Sequence, residues 1–167
     1  MRGKWAQGIV PRNFRWIIKD QLAICERPGG YGPSHRRIRR QEEIIWIREN
    51  GFDRVISLIG SPHNLHNYDE LGVAWLHRPL TRTDSQPQQL DEMYAEIAAL
   101  LETGEKLILH GEEVADRIAG FVGGYLVWSG LVPDRAEAII VIERMLERQM
   151  GPEGRAMVLG TGDGDAE

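Results

Sequence analysis

The stretch Leu107-Ile108-Leu109-His110-Gly111-Glu112-Glu113-Val114-Ala115-Asp116-Arg117-Ile118 constrains this chain most. A short apolar run gives way to a tight polar loop. An apolar segment over residues 118–131, too long for a strand, follows it. That order is strand, loop, helix. Where a parallel strand hands over to a helix, free backbone N–H groups and the helix dipole form a ready anion site. Arg117 at the helix start would add a fixed, planar, bidentate cation.

Around this stretch, strands alternate with helices. Residues 14–19 and 21–25 read as two short strands, with Lys19-Asp20 as the turn between them. Arg27-Pro28-Gly29-Gly30-Tyr31-Gly32-Pro33 is a loop of helix breakers. Residues 38–50 read as a helix with Ile38, Ile44, Ile45, Trp46 and Ile47 on its apolar stripe, Ser34 as N-cap and Gly51 at C′. Strands are expected over 54–59 and 73–77, with a polar connection at 61–71. Ser85 and Pro87 open a helix on which Leu90, Met93, Tyr94, Ile97, Leu100 and Leu101 share a face, and Gly104 ends it. A last helix runs from Pro133 to about Gln149, with Ala136, Ile139, Ile140, Ile142, Met145 and Leu146 on its face. The fold class is therefore α/β, with a central, mostly parallel sheet flanked by helices and ligands bound beyond the strand ends.

The central stretch resembles the phosphate-binding loop of the cysteine-based protein tyrosine phosphatases, especially the small dual-specificity kind. That motif runs His-Cys, five residues, Arg, then Ser or Thr. His110 and Arg117 stand at its spacing, and Tyr125-Leu126-Val127 and Ser129-Gly130-Leu131 look like the following helix and its end. Arg27-Pro28-Gly29-Gly30 also looks like a segment of many small bacterial members. The resemblance implies a cysteine-phosphatase-like fold over residues 14–155, between an N-terminal arm at 1–13 and an acidic flexible tail at 156–167. It also puts Gly111 in the nucleophile position, Val114 where a mid-loop glycine is usual and Ile118 where a hydroxyl residue follows the arginine. The changes at Val114 and Ile118 favour a natural loss over an engineered inactivation. Thr83-Asp84-Ser85, after Arg78-Pro79-Leu80, matches the segment of the general acid, so the resemblance places Asp84 in that role.

A thiol phosphatase needs a thiolate of low pKa and an acid for the leaving oxygen. Glycine supplies no nucleophile, and Cys25, the single cysteine, falls in an early strand, where a buried thiol is ordinarily inert packing. The expectation is a pseudophosphatase with no catalytic residue and a binding or regulatory role. Its ligand site would comprise His110, Gly111, Glu112, Glu113, Val114, Ala115, Asp116 and Arg117, with Asp84, Arg36 and Arg37 at the rim. Asp84 could instead simply flank the helix at Pro87, and Arg117 could be spent on Glu112, Glu113 or Asp116. A β-branched Val114 would be strained if its position needs positive φ. His110 reads as a satisfied structural histidine. Two alternatives stand beside this reading: a phosphoester hydrolase that uses Asp84 without a cysteine, and an interaction or scaffold subunit with a vestigial pocket.

The remaining candidates are weaker. His35-Arg36-Arg37-Ile38-Arg39-Arg40 is the one basic cluster, with Glu42 and Glu43 partly neutralising it. His63 and His66 lack the acidic context of a zinc site, so no metal and no cofactor are expected. The five tryptophans read as core and rim packing. A net charge of −5 argues against a general nucleic-acid binder. No apolar run reaches the roughly 18 residues of a membrane span, and the lone cysteine suits a reducing, cytoplasmic setting. The partner is expected to be a protein or a phosphorylated ligand, and a homodimer is compatible with the sequence.

Overall fold

A computed structural model describes residues 7–30, 37–62, 64–80 and 87–161. The chain forms two compact units, Met1–Pro79 with Thr103–Val114, and Leu80–Glu102 with Ala115–Glu167.

The first unit holds the sheet. β1 (Arg15–Ile18) and β2 (Leu22–Glu26) form the antiparallel hairpin expected from the sequence, with Asp20 at φ 63° in its turn. β3 (Arg54–Ser57), β4 (Trp75–His77) and β5 (Leu107–Gly111) complete the order β1-β2-β5-β3-β4. β5 pairs in parallel with both β2 and β3, which is why its apolar run has no alternation: Leu107, Ile108 and Leu109 are all fully buried. On one sheet face, Ala23, Cys25, Val55 and Ile108 pack with Ile44 and Ile47 of α1 (Arg37–Glu49) and Tyr68 of α2 (His66–Glu70). Gly51, at φ 78°, follows α1 as a left-handed C′ residue. Phe14, Trp16, Trp46 and Phe52 form an aromatic cluster with the Lys106 ammonium over two of its rings, so these tryptophans are packing residues.

The second unit is helical: α3 (Pro87–Glu102), α4 (Asp116–Trp128), α5 (Arg135–Leu146) and α6 (Pro152–Gly160). α4 is buried without interruption from Ile118 to Leu126 and packs against the other three helices of the unit, as a helix apolar on all sides must. Asp134 caps α5, its side chain accepting from the Glu137 N–H at 2.8 Å.

Several expectations are corrected. Residues 8–13 of the expected N-terminal arm are tied down: the Ile9 N–H donates to the Glu42 carbonyl, the Arg12 carbonyl accepts from the Glu26 N–H, and a Cβ on Gly8 would run into the backbone of Glu42 and Trp46. The chain is also not a flexible tail from residue 156, because α6 runs on to Gly160, with Met157 and Val158 buried. Gly154 hides it from periodicity, and it packs by close backbone approach: a Cβ on Gly120 of α4 would sit 2.6 Å from the Gly154 Cα. Residues 162–167 of the expected tail lie outside the described residues, as do the expected N-caps Ser34 and Ser85. Ile38 and Ile140, assigned to the apolar stripes, are exposed, whereas Ile44 and Ile47 of α1 and Ile139 and Ile142 of α5 are buried as expected. Among the described residues, no helix is long and apolar enough to cross a membrane.

Candidate functional site

The 110–117 stretch leaves the sheet at the end of β5 and passes from the first unit to the second between Val114 and Ala115. His110 is its buried anchor, 3% exposed, with Cys25 and Ser57 as its lateral neighbours on β2 and β3. Its Nε2 shares a hydrogen bond of 3.1 Å with the Tyr68 hydroxyl, and its Nδ1 lies 3.4 Å from the Gly111 carbonyl. Burial drives the imidazole pKa down to about 4, with the charges of Arg27 and His77 acting the same way and the Gly111 carbonyl opposing them. His110 is thus a neutral histidine that ties the strand end to α2.

Gly111 is not held as glycine by geometry. It does not adopt positive φ, and a Cβ built there would meet only the Glu113 carbonyl oxygen, at 3.4 Å. Val114 also has no positive φ, so the β-branched residue carries no left-handed strain. Glu112 turns to Arg27, 3.3 Å away, and Glu113 is exposed.

The loop that carries Arg27 is fixed from below by Glu43, which the sequence offered only as a neutraliser of the basic cluster. Glu43 is fully buried in α1, where its carboxylate accepts from Arg39 Nε at 2.6 Å and from the Gly29 N–H at 3.3 Å. Burial raises its pKa, and the bonds from Arg39 and Gly29 oppose the rise. The Arg39–Glu43 spacing of i,i+4 was visible in the sequence; the burial was not. Among the described residues of the basic cluster, Arg39 serves Glu43, Arg40 is buried, and Arg37 is exposed at the start of α1. Among the described residues, no hydrogen bond or ion pair joins Arg37 to residues 110–114. His35, Arg36, His63 and Asp84 lie outside the described residues, and no cluster of metal-ligating groups is found among the described ones.

Cys25 is fully buried on β2. Burial, reinforced by the charges of Glu43 and Glu26, pushes its thiol well above the ordinary range. It is protonated packing, as its place in the early strand suggested.

In the second unit, Ala115 leads extended into α4 with no side-chain cap. Asp116 reaches across to α6, where its two carboxylate oxygens accept from the Gly151 N–H at 2.6 Å and the Gly154 N–H at 2.8 Å. Arg117 donates from Nε to Glu153 at 2.9 Å and from Nη1 to the Leu80 carbonyl at 3.3 Å. The acid that meets Arg117 is therefore none of the loop acids weighed from the sequence. Asp116 is engaged as a helix cap, Glu112 by Arg27, and the partner comes from a helix that the sequence did not disclose.

No family model matches the chain, and no curated protein matches it. Solved structures do. The chain superposes on the kinase-associated phosphatase KAP, carrying a serine for its catalytic-site cysteine, with a TM-score of 0.75 at 15% identity over 89% of this chain and 93% of that one. The active form of Tk-PTP gives 0.69 at 20% identity, over 88% and 93%. P. aeruginosa TpbA in complex with pTyr gives 0.69 at 16%, over 97% and 93%. The fold is thus that of the protein tyrosine and dual-specificity phosphatases, an α/β fold with a mixed central sheet flanked by helices.

Proposed function

We propose that this chain is a pseudophosphatase, a protein of the phosphatase fold that binds a phosphorylated ligand or partner through residues 110–117 and does not turn it over. The observation that carries the reading is Gly111. The residue after His110 holds no nucleophile, yet its backbone has room for a side chain, so chemistry rather than geometry distinguishes this loop from a thiol phosphatase. Cys25 offers no replacement, being buried and protonated. Arg117 and the backbone N–H groups at the start of α4 supply the recognition that remains.

The test is a thermal-shift titration with phosphate, phosphotyrosine peptides and inositol phosphates, beside Arg117→Ala, together with a hydrolysis assay on an aryl phosphate. A shift that disappears in Arg117→Ala, without turnover, supports the reading. Steady phosphate release that is lost in Asp84→Asn would favour the non-cysteine hydrolase instead. One observation favours a second reading, an interaction subunit with a vestigial pocket: Arg117 is already met by a carboxylate. No shift with any anion would select it.

A further inference from the structure

Arg117 is the one side chain of the loop with the shape and charge to grip a phosphate, and it does not stand free. Glu153, in the first turn of α6, takes its Nε–H, while the Leu80 carbonyl takes one Nη1–H. The pair is neither buried nor fully exposed, with side chains 36% and 38% accessible. The position of Glu153 is not incidental. α6 is seated on the start of α4 by Asp116, the residue next to Arg117, which caps it through two hydrogen bonds, and Gly120, lacking a Cβ, admits the Gly154 backbone. The same contact that places α6 delivers a carboxylate to the phosphate-gripping arginine.

We infer that Glu153 is an internal competitor for Arg117, so that the loop admits only an anion able to outbid a carboxylate, a phosphomonoester. The inference rests on the reading of residues 110–117 as a phosphate-binding loop. A carboxylate is a monoanion with two acceptor oxygens. A phosphomonoester carries about −1.5 to −2 charges near neutral pH and three acceptor oxygens, so it can take the guanidinium where a carboxylate or a weakly held anion cannot. Glu153 lowers the affinity for every anion and thereby sets a threshold for binding.

The experiment is calorimetric titration of the full chain with phenyl phosphate, using wild type, Glu153→Gln and Arg117→Ala. A half-exposed ion pair of this kind is worth about a fivefold factor in binding. Glu153→Gln is expected to bind about fivefold tighter than wild type, and Arg117→Ala not at all. Wild-type binding that Glu153→Gln leaves equal or weaker would overturn the inference and leave the loop reading intact, since Glu153 would then position Arg117 rather than compete for it. No binding above the Arg117→Ala background in either protein would overturn both. An NMR titration of wild type needs no variant. The Arg117 Nε–H resonance must leave its Glu153-bonded position as phenyl phosphate binds, and a resonance that stays put through saturation would overturn the inference.

Discussion

Asp116→Ala is the most informative single change in the second unit. In the wild type, the Asp116 carboxylate takes the Gly151 and Gly154 N–H groups at 2.6 and 2.8 Å, and these are among the donors that open α6 without helical partners. Removing the side chain leaves both N–H groups in a part-buried place. Loss of an N-cap costs about 0.5–2 kcal/mol, and hydrogen bonds to a charged acceptor run to about 1.5–3 kcal/mol. Because water can reach the site in part, the expected loss is about 2–3 kcal/mol. For a chain of this size, that lowers the thermal midpoint by roughly 5–10 °C. Calorimetry gives the midpoint, and hydrogen exchange locates the change, with the amides of α6 losing protection ahead of those of β5. Asp116→Asn, which keeps one acceptor oxygen, should fall between. A midpoint within 1 °C of wild type, with α6 protection unchanged, would refute the assignment of Asp116 as the clamp of this helix.

Other expectations follow from the same contacts. The folded His110 pKa of about 4 lies below the ordinary 6.5, so the unfolded chain takes up a proton first as pH falls. The contribution is complete above pH 6.5 and is lost between 6.5 and 4, with a ceiling of about 3 kcal/mol at 1.36 kcal/mol per unit. Urea unfolding across that range, compared with His110→Asn, checks it. Tyr68→Phe strands the buried His110 Nε2 and should cost about 1–2 kcal/mol, read by chemical denaturation. Cys25 should resist alkylation in the folded protein at neutral pH and react fully in denaturant, as mass spectrometry would show. Gly154→Ala places its Cβ 2.6 Å from Asp116 Oδ1 and 2.7 Å from the Asp116 carbonyl oxygen, and should destabilise by about 1–3 kcal/mol or more on thermal melting.

The parts of the fold with strong local signals were legible in the sequence. The β1–β2 hairpin announced itself through Lys19-Asp20, β5 through an unbroken apolar run, and α3 through its spacing and Pro87. The strand–loop–helix order across residues 107–128 was legible because an apolar run meets a polar turn and then a second, longer apolar segment. What the sequence hid are tertiary facts. α6 reads as a tail because Gly154 lowers its helix propensity, and only the closeness of Asp116 and Met150 explains why a glycine belongs there. Glu43 and Glu153 look like ordinary surface acids until the structure buries one beneath Gly29 and sets the other on Arg117. Val114 seemed strained because a glycine-like φ was assumed, and the backbone does not take one.

The approach of Gly120 to Gly154 also limits how this protein can drift. A methyl group on Gly120 meets the Gly154 backbone, and one on Gly154 meets the carbonyl oxygen of Asp116 and the carboxylate that caps α6. Neither site can therefore accept a larger residue while α6 stays where it is. A lineage that did replace one of them would have to reseat α6, and with it the carboxylate that now faces Arg117.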